Sequence, residues 1–291
     1  MNLIKKISIG TAQFGMNYGE RNKKALSFTK IRKILTYARS IGIQNIDTAF
    51  NYGRAEEKLG IVGVKNWKIS TKFSKIPSNE NPVYWIEKHL KKSLKRLKIK
   101  KINTLFIHDF NSINKNEKKA EDIMKFLKYL KKIKLIKNIG ISIYDPKILN
   151  RIIDLKSIDV LQAPANIFDR RIFQNKNVEI LKDNNISLEI RSIFLQGLIL
   201  EKLNNIPKKL NDYLIYFKKI EKLSNKMNTT KISIALSVLN NQRFDKLIIG
   251  FNDENELKEI VENIPLKTKN LKPFFIKKKN FLINPYLWNT K

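Results

Sequence analysis

The sequence contains no cysteine and only two histidines in 291 residues. Without thiols the chain can form neither a disulfide framework nor a thiolate metal site, and two imidazoles are too few for a histidine-rich metal site. We therefore expect no bound metal and a reducing compartment. No apolar stretch of signal-peptide length precedes Gly10 and Thr11. The sequence thus predicts a cytoplasmic location.

Long apolar runs are also missing. No stretch approaches the roughly 18 uninterrupted apolar residues that a membrane-spanning helix needs. We therefore expect no membrane partner.

Acidic residues are scarce, with 26 Asp and Glu against 58 Lys and Arg, which gives a formal net charge of +32. Basic chains of this kind often bind nucleic acid through the release of counterions. Lysine recurs in nearly every predicted helix, however, and the one dense run, residues 277–279, is short. Together with abundant Ile and Asn, this spread is typical of AT-rich coding. We prefer that interpretation and keep nucleic-acid binding as the less favoured alternative.

Glycine is sparse, with 10 residues, and no Gly-x-Gly-x-x-Gly motif follows the first predicted strand. Gly10 and Gly15 alone do not supply the phosphate-binding turn of a doubly wound dinucleotide-binding fold. An open doubly wound sheet is therefore the less favoured topology.

Short strand-like runs alternate with helical patterns along the whole chain, which favours parallel βαβ units. No Pro/Gly/Ser-rich linker or shift in composition divides the chain. We therefore predict one α/β domain over residues 1–291, closed into a (β/α)8 TIM barrel. The predicted strands are 7–9, 44–46, 68–71, 103–107, 138–141, 159–161, 187–190 and 246–249, and the predicted helices lie near 31–38, 55–59, 82–97, 117–136, 146–155, 177–184, 211–240 and 255–263.

Titratable side chains lie at the ends of three successive predicted strands, where the active site of such a barrel is found. Asp47 follows the second strand, and Tyr52 lies five residues further on. Lys72 ends the third strand, and His108 ends the fourth. Each has an ordinary alternative as a helix cap, a loop aromatic, one lysine among many or a core histidine. Their joint placement favours a single catalytic site.

This set of side chains fits the reduction of a carbonyl by hydride. Hydride arriving at carbon leaves negative charge on oxygen, and Tyr52 would protonate that oxygen if its pKa were lowered from about 10. Lys72 would lower this pKa, and Asp47 would hold Lys72 charged and in place. His108 would donate from a ring nitrogen to the carbonyl oxygen.

The motifs around these positions resemble the aldo-keto reductases, a family of (β/α)8 barrels that use an Asp, a Tyr, a Lys and a His. The likeness extends over roughly the whole chain. It is carried by Ile-Gly-Thr-Ala-Gln-Phe-Gly at 9–15, Ile-Asp-Thr-Ala-Phe-Asn-Tyr-Gly at 46–53, Ser-Thr-Lys at 70–72, Leu-Phe-Ile-His at 105–108, Gly-Ile-Ser at 140–142, Leu-Gln at 161–162 and Arg-Ser-Ile-Phe-Leu-Gln-Gly at 191–197.

The resemblance implies a nicotinamide cofactor extended across the mouth of the barrel. Ser142 and Gln162 match positions that hold the nicotinamide carboxamide, and Arg191 stands where many members stack a tyrosine on the ring. The backbone of 192–197 matches the loop that grips the pyrophosphate, although buried packing is the alternative for its apolar side chains. The predicted cofactor-binding set is Gly10, Thr11, Asp47, Ser142, Gln162, Arg191, Ser192, Phe194, Leu195, Gly197, Gly250, Asn252, Glu256 and Glu259.

The segment after the eighth strand departs from the family pattern. Many members place a basic residue there to pair with the adenosine 2′-phosphate, whereas this chain has Glu256 at that position and Ile260 in place of an adenine-contacting Asn. A carboxylate repels a phosphate and suits a free hydroxyl. The resemblance alone favours NADP(H) over NAD(H), and we keep that as the expectation.

The sequence therefore predicts an NAD(P)H-dependent oxidoreductase that reduces an aldehyde, ketone or sugar-like carbonyl, or oxidises the corresponding alcohol. A cofactor-binding regulatory barrel with little turnover is the alternative. Residues 270–291 are expected to form a C-terminal tail, with 284–288 as one wall of the pocket.

Overall fold

The computed structural model describes residues 3–19, 24–108, 110, 117–264, 274 and 280–289. Eight parallel strands close into a barrel in sequence order, with β8 hydrogen-bonded to β1. The predicted (β/α)8 barrel is confirmed. The strands are β1 (Ile7–Gly10), β2 (Asn45–Asp47), β3 (Lys68–Phe73), β4 (Ile102–Ile107), β5 (Ile136–Ser142), β6 (Val160–Pro164), β7 (Ser187–Arg191) and β8 (Lys246–Gly250).

Helices connect the strands, and short 3-10 helices extend or replace some of them. The α-helices are α1 (Ala12–Gly15), α2 (Phe28–Ser40), α3 (Ala55–Val62), α4 (Pro82–Leu97), α5 (Glu117–Lys132), α6 (Leu149–Asp154), α7 (Asn177–Asp183), α8 (Leu214–Lys226), α9 (Lys231–Leu236), α10 (Glu254–Glu262) and α11 (Asn280–Ile283). The 3-10 helices are Leu3–Lys6, Pro146–Ile148, Arg171–Phe173, Leu195–Leu200, Leu203–Asn205, Lys208–Tyr213, Ser237–Leu239 and Pro285–Asn289. Among the described residues, no helix is long and apolar enough to cross a membrane.

The first long helix, α2, shows how local sequence determines an element. The side chain of Ser27 caps its N-terminus by accepting from the backbone N–H of Lys30. Ile31, Ile34 and Ala38 recur at helical spacing and are buried against the barrel. The helix ends before Gly42, whose φ of 89° suits a residue without a Cβ.

Because the strands are buried, polar side chains on them point to a structural partner or to a functional site. β1, β2 and β6 are buried along their whole length, because one face meets the helices and the other the barrel interior. A charged side chain on such a strand needs a partner or a function.

Of the predicted C-terminal tail, the structure describes 274 and 280–289, and the lysine run at 277–279 lies outside the described residues. Leu282 and Trp288 are buried, and the indole N–H of Trp288 donates to the backbone oxygen of Phe281. Pro285 lines the cleft at the barrel mouth, so the predicted wall is partly confirmed.

Candidate active site

A cleft of about 370 Å³ lies at the carboxyl ends of the strands, and the four predicted catalytic residues all line it. The Lys72 ammonium is 2.5 Å from Oδ1 of Asp47 and donates to the backbone oxygen of Thr48 at 2.9 Å. The same ammonium lies 5.5 Å from the ring centre of Tyr52. The rings of Tyr52 and His108 meet edge to face, with centres 6.1 Å apart. Side chains distant in sequence are thus neighbours at one rim.

Burial makes the Lys72–Asp47 pair unusual. The two side chains are 1% and 4% exposed. Removing ions from water costs several kcal/mol each, and a buried pair repays this only with good geometry and further hydrogen bonds. Asp47 therefore does not cap the following helix, and Lys72 is not one of the solvated lysines of the helix surfaces.

The electrostatics of Tyr52 differ from the prediction. Burial raises the pKa of the phenol, and the negative charge of Asp47 raises it further, whereas Arg191 lowers it. The predicted lowering of the pKa of Tyr52 is not found, because desolvation disfavours the phenolate more than the nearby cation favours it. Tyr52 is consequently a neutral phenol with a proton to donate.

His108 is a neutral imidazole. Burial lowers its pKa to about 3, and the positive charges of Lys72 and Arg191 act in the same direction. A neutral imidazole carries one N–H, so it can donate a single hydrogen bond into the cleft.

The loop that carries Tyr52 is fixed by contact with α1. A Cβ on Gly15 would lie 1.8 Å from the backbone oxygen of Tyr52 and 2.2 Å from the backbone nitrogen of Ala55. Gly53 directly follows Tyr52 and has a φ of 55°. A Cβ on Gly53 would lie 2.4 Å from the backbone oxygen of Gly15. Gly15 and Gly53 therefore allow the backbone of α1 and the backbone of the loop to lie in close contact. This contact holds Tyr52 at the rim.

A second set of buried polar side chains continues from Asp47 across the barrel interior. Nε2 of Gln162 donates to Oδ2 of Asp47 at 2.9 Å and to Oε2 of Glu189 at 3.3 Å. Oε1 of Glu189 accepts from the ammonium of Lys246 at 2.9 Å. Gln162 was expected at the cleft, whereas Glu189 and Lys246 were not foreseen.

Thirteen of the fourteen predicted cofactor-binding residues line the cleft, and Leu195 does not. The side chain of Leu195 is fully buried. The packing interpretation is thus correct for this side chain, while Phe194, on the same loop, lines the cleft.

Backbone conformation makes the cleft wall suitable for a phosphate group. After β7 the backbone takes positive φ at Ser192 (64°), Gln196 (57°) and Gly197 (90°), which turns the chain sharply beside the cleft. Gly10 and Gly250 are paired across β1 and β8. A Cβ on Gly250 would lie 2.5 Å from the Gln13 amide, so the glycine leaves room for this amide at the cleft.

Two carboxylates on α10 line the cleft beyond the end of β8. Glu256 and Glu259 line it, and Glu256 accepts from both the backbone N–H of Asn252 (2.8 Å) and the side-chain amide of that residue (3.0 Å). Lys258 on the same helix is bonded to Glu254 at 2.8 Å. Among the described residues, this part of the cleft thus presents two carboxylates.

Sequence reasoning missed several lining residues, notably Gln13, Tyr18 and Tyr144. Burial raises the pKa of Tyr18, and its proximity to Tyr52 raises it further. Tyr144 lies under the guanidinium of Arg191, with 4.5 Å between the Arg191 Cζ and the ring centre. Gln13 lies on the short helix α1 and the two tyrosines lie in loops, where strand periodicity gives no signal. Within the described part of the chain, no group of three His, Cys, Asp or Glu could hold a metal ion.

The fold and the cleft together define a (β/α)8 barrel with a polar site at the strand ends, and comparison with known proteins gives the family. The chain matches the model of the Aldo/keto reductase family over residues 6–274 and therefore belongs to that family.

Solved structures agree on the architecture. The chain is similar to an aldo-keto reductase from Bacillus halodurans in its holo form, with a TM-score of 0.71 and 18% identity over 90% of this chain and 87% of that chain. It is also similar to a protein from Pseudomonas aeruginosa described as an aldo-keto reductase, with a TM-score of 0.65 and 18% identity over 89% and 88% of the two chains. Identities this low establish the fold alone. No curated protein matches the chain.

Proposed function

We propose that this protein is an NAD(P)H-dependent reductase of aldehydes, ketones or sugar-like carbonyls, with Tyr52 as the proton donor. The observation that carries the proposal is the neutral phenol of Tyr52 beside the buried Lys72–Asp47 pair and the neutral His108, all on one cleft. The absence of cysteine also suits a cytoplasmic enzyme.

The chemistry requires one hydride and one proton. Ser142 and Gln162 would hold a reduced nicotinamide, which when bound would supply the hydride to the carbonyl carbon while the π electrons of the C=O bond move to oxygen. Tyr52 gives its phenolic proton to that oxygen and regains one from solvent. The Lys72 ammonium stabilises the phenolate left behind, and His108 donates its N–H to the substrate oxygen.

The cleft fits such a cofactor in shape. The turn at 192–197 offers backbone N–H groups for a pyrophosphate, and Ser142 with Gln162 offers polar atoms for the carboxamide. The nicotinamide would then lie beside the catalytic residues at one end of the cleft, and the adenosine would lie beside Glu256 at the other.

Charge at the adenosine end bears on the form of the cofactor. NADP(H), favoured by the resemblance, needs a cation for its 2′-phosphate, but this end presents Glu256 and Glu259, and Lys258 is held by Glu254. A carboxylate accepts a hydrogen bond from a ribose hydroxyl and repels a phosphate. These charges support NAD(H) as the preferred form.

Titration of the purified protein with NADH and NADPH, followed by fluorescence, tests the cofactor. We expect the protein to bind NADH at least tenfold more tightly than NADPH. The Glu256→Gln variant should bind NADPH more strongly, so that the difference between the two affinities becomes smaller. Glu262→Gln makes the same change on α10 outside the cleft and should alter neither affinity. Tighter NADPH binding by the unmodified protein would overturn the preference for NAD(H).

Turnover is tested by following oxidation of the reduced cofactor over a panel of aldehydes, ketones and aldoses. Gln13, Tyr18 and Tyr144 line the cleft with hydrogen-bonding groups, which supports a polar carbonyl substrate. Cofactor binding without turnover of any panel member would favour the regulatory barrel over the enzyme.

A further inference from the structure

We propose that Glu189 is a positioning residue: it fixes the side-chain amide of Gln162 so that the amide oxygen is left as the acceptor for the nicotinamide carboxamide. This inference rests on the proposed function. It adds a role for a buried carboxylate on β7 that takes no part in proton transfer.

The register of the barrel places the two residues side by side. Gln162 on β6 is directly paired with Glu189 on β7, and Glu189 in turn with Lys246 on β8. The side chains follow the same order, with 3.3 Å between Nε2 of Gln162 and Oε2 of Glu189 and 2.9 Å between Oε1 of Glu189 and the Lys246 ammonium. The interaction is therefore built into the sheet.

The direction of these hydrogen bonds follows from the chemistry of the partners. An ionised carboxylate only accepts, and the Gln162 side chain faces two of them, Asp47 at 2.9 Å and Glu189. The amide has two N–H bonds, and both are used. Its remaining group is Oε1, an acceptor, on a residue that lines the cleft.

Burial argues that Glu189 is not an incidental charge. Glu189 and Gln162 are 2% and 1% exposed, so neither side chain is solvated by bulk water. A buried carboxylate is costly unless it is paired, and Lys246, with a side chain 22% exposed, supplies the counter-charge from the end of β8 nearer solvent.

Without the carboxylate of Glu189, the amide keeps only one of the two acceptors that fix its direction, the carboxylate of Asp47. A glutamine at position 189 can donate to Oε1 of Gln162 as well as accept from its Nε2, so it would no longer favour one orientation of the amide over the other. A ligand that presents an amide N–H₂ would then bind more weakly, because its acceptor is less well oriented. The affinity for a ligand that lacks the carboxamide would stay the same.

The experiment compares two ligands that differ in the nicotinamide. Dissociation constants for NADH and for ADP-ribose are measured by calorimetry on the unmodified protein and on Glu189→Gln. We expect NADH to weaken about tenfold, equivalent to about 1.4 kcal/mol, and ADP-ribose to stay within twofold. Equal weakening of both ligands would show a merely structural role, and no change in either would also overturn the proposal.

Two further variants keep the result interpretable. Glu56→Gln makes the same change at a carboxylate that is 1% exposed and bonded to Thr71 outside the cleft, and it should affect neither ligand. If Glu189→Gln does not fold, because Lys246 loses its partner, the double variant Glu189→Gln/Lys246→Gln removes both charges and is measured in the same way. Failure of the unmodified protein to bind NADH would refute the proposed function itself, whereas binding that is insensitive to Glu189 would refute only this role.

Discussion

The ammonium of Lys72 and the carboxylate of Asp47 form a buried ion pair, and their charges add to the effect of burial on the pKa values of the two rings beside them. Positive charge from Lys72 helps to keep His108 neutral, and negative charge from Asp47 helps to keep Tyr52 protonated. The resting site is thus set for giving a proton rather than for taking one.

The pH dependence of the two reaction directions follows from these protonation states. Tyr52 acts as an acid in reduction, and its raised pKa keeps it protonated at neutral and mildly alkaline pH, so kcat/KM for reduction should stay flat from about pH 6 to 9. Oxidation needs the phenolate, so its rate should rise about tenfold per pH unit over the same range. His108, with a pKa of about 3, should add no break. Initial rates in both directions test this, and a fall in the reduction rate below pH 9 would contradict the raised pKa.

Individual residues show what sequence reasoning could and could not reach. Asp47, Lys72 and His108 were identifiable because they lie at or just after the ends of predicted strands, where the active site of such a barrel is found. Glu189 was not, because it lies within β7, and a charge inside a short strand has no positional signal without its cross-strand partners. The pKa of Tyr52 was predicted in the wrong direction, since the sequence shows the cation but not the desolvation.

At the scale of elements, the contact between α1 and the loop before α3 determines where Tyr52 lies. Gly15 is in van der Waals contact with that loop, so a methyl group there would force the two backbones apart. Elements bounded by strong caps were predictable: α4 begins and ends where its sequence pattern does, after the Asn81 cap. The helix predicted over 117–136 was too long, because Lys134 takes a φ of 59° and the apolar residue Ile136 belongs to β5.

A substitution at the α1 contact tests whether this placement matters for catalysis. Gly15→Ala should lower kcat at least tenfold, because its Cβ would lie 1.8 Å from the backbone oxygen of Tyr52, and should also lower Tm. Gly60→Ala is the matched control, since its Cβ would lie 1.9 Å from the backbone oxygen of Arg96, away from the cleft. Both variants should lose thermal stability, and only the first should lose kcat in the folded fraction. An equal loss of kcat in both variants would show that the α1 contact has no specific role in placing Tyr52 for catalysis.

At the scale of the whole molecule, closure of the barrel accounts for the position of the site, whereas the net charge does not describe the site. Closure of the barrel brings residues at or just after the ends of all eight strands to one cleft, and that convergence could be predicted once the strand count was known. The formal charge of +32 is spread over the surface. The cleft itself contains carboxylates as well as cations, so the net charge does not describe the site.

Binding to random duplex DNA measures the effect of the surface charge. Counterion release should give salt-dependent association no tighter than about 10⁻⁶ M at physiological salt, the range of non-specific binding. Saturating DNA should leave kcat/KM unchanged, because it contacts the surface lysines and not the cleft. Filter binding and the reductase assay check both points, and nanomolar affinity at that salt would restore the nucleic-acid alternative.

The role of Tyr52 as proton donor is measured most directly by the turnover and cofactor affinity of Tyr52→Phe. Removing the hydroxyl leaves the ring and its contact with His108, so the affinity for the reduced cofactor should stay within twofold. Turnover should fall by about 10²- to 10⁴-fold, the range for losing a general acid. Undiminished turnover in Tyr52→Phe would contradict the account.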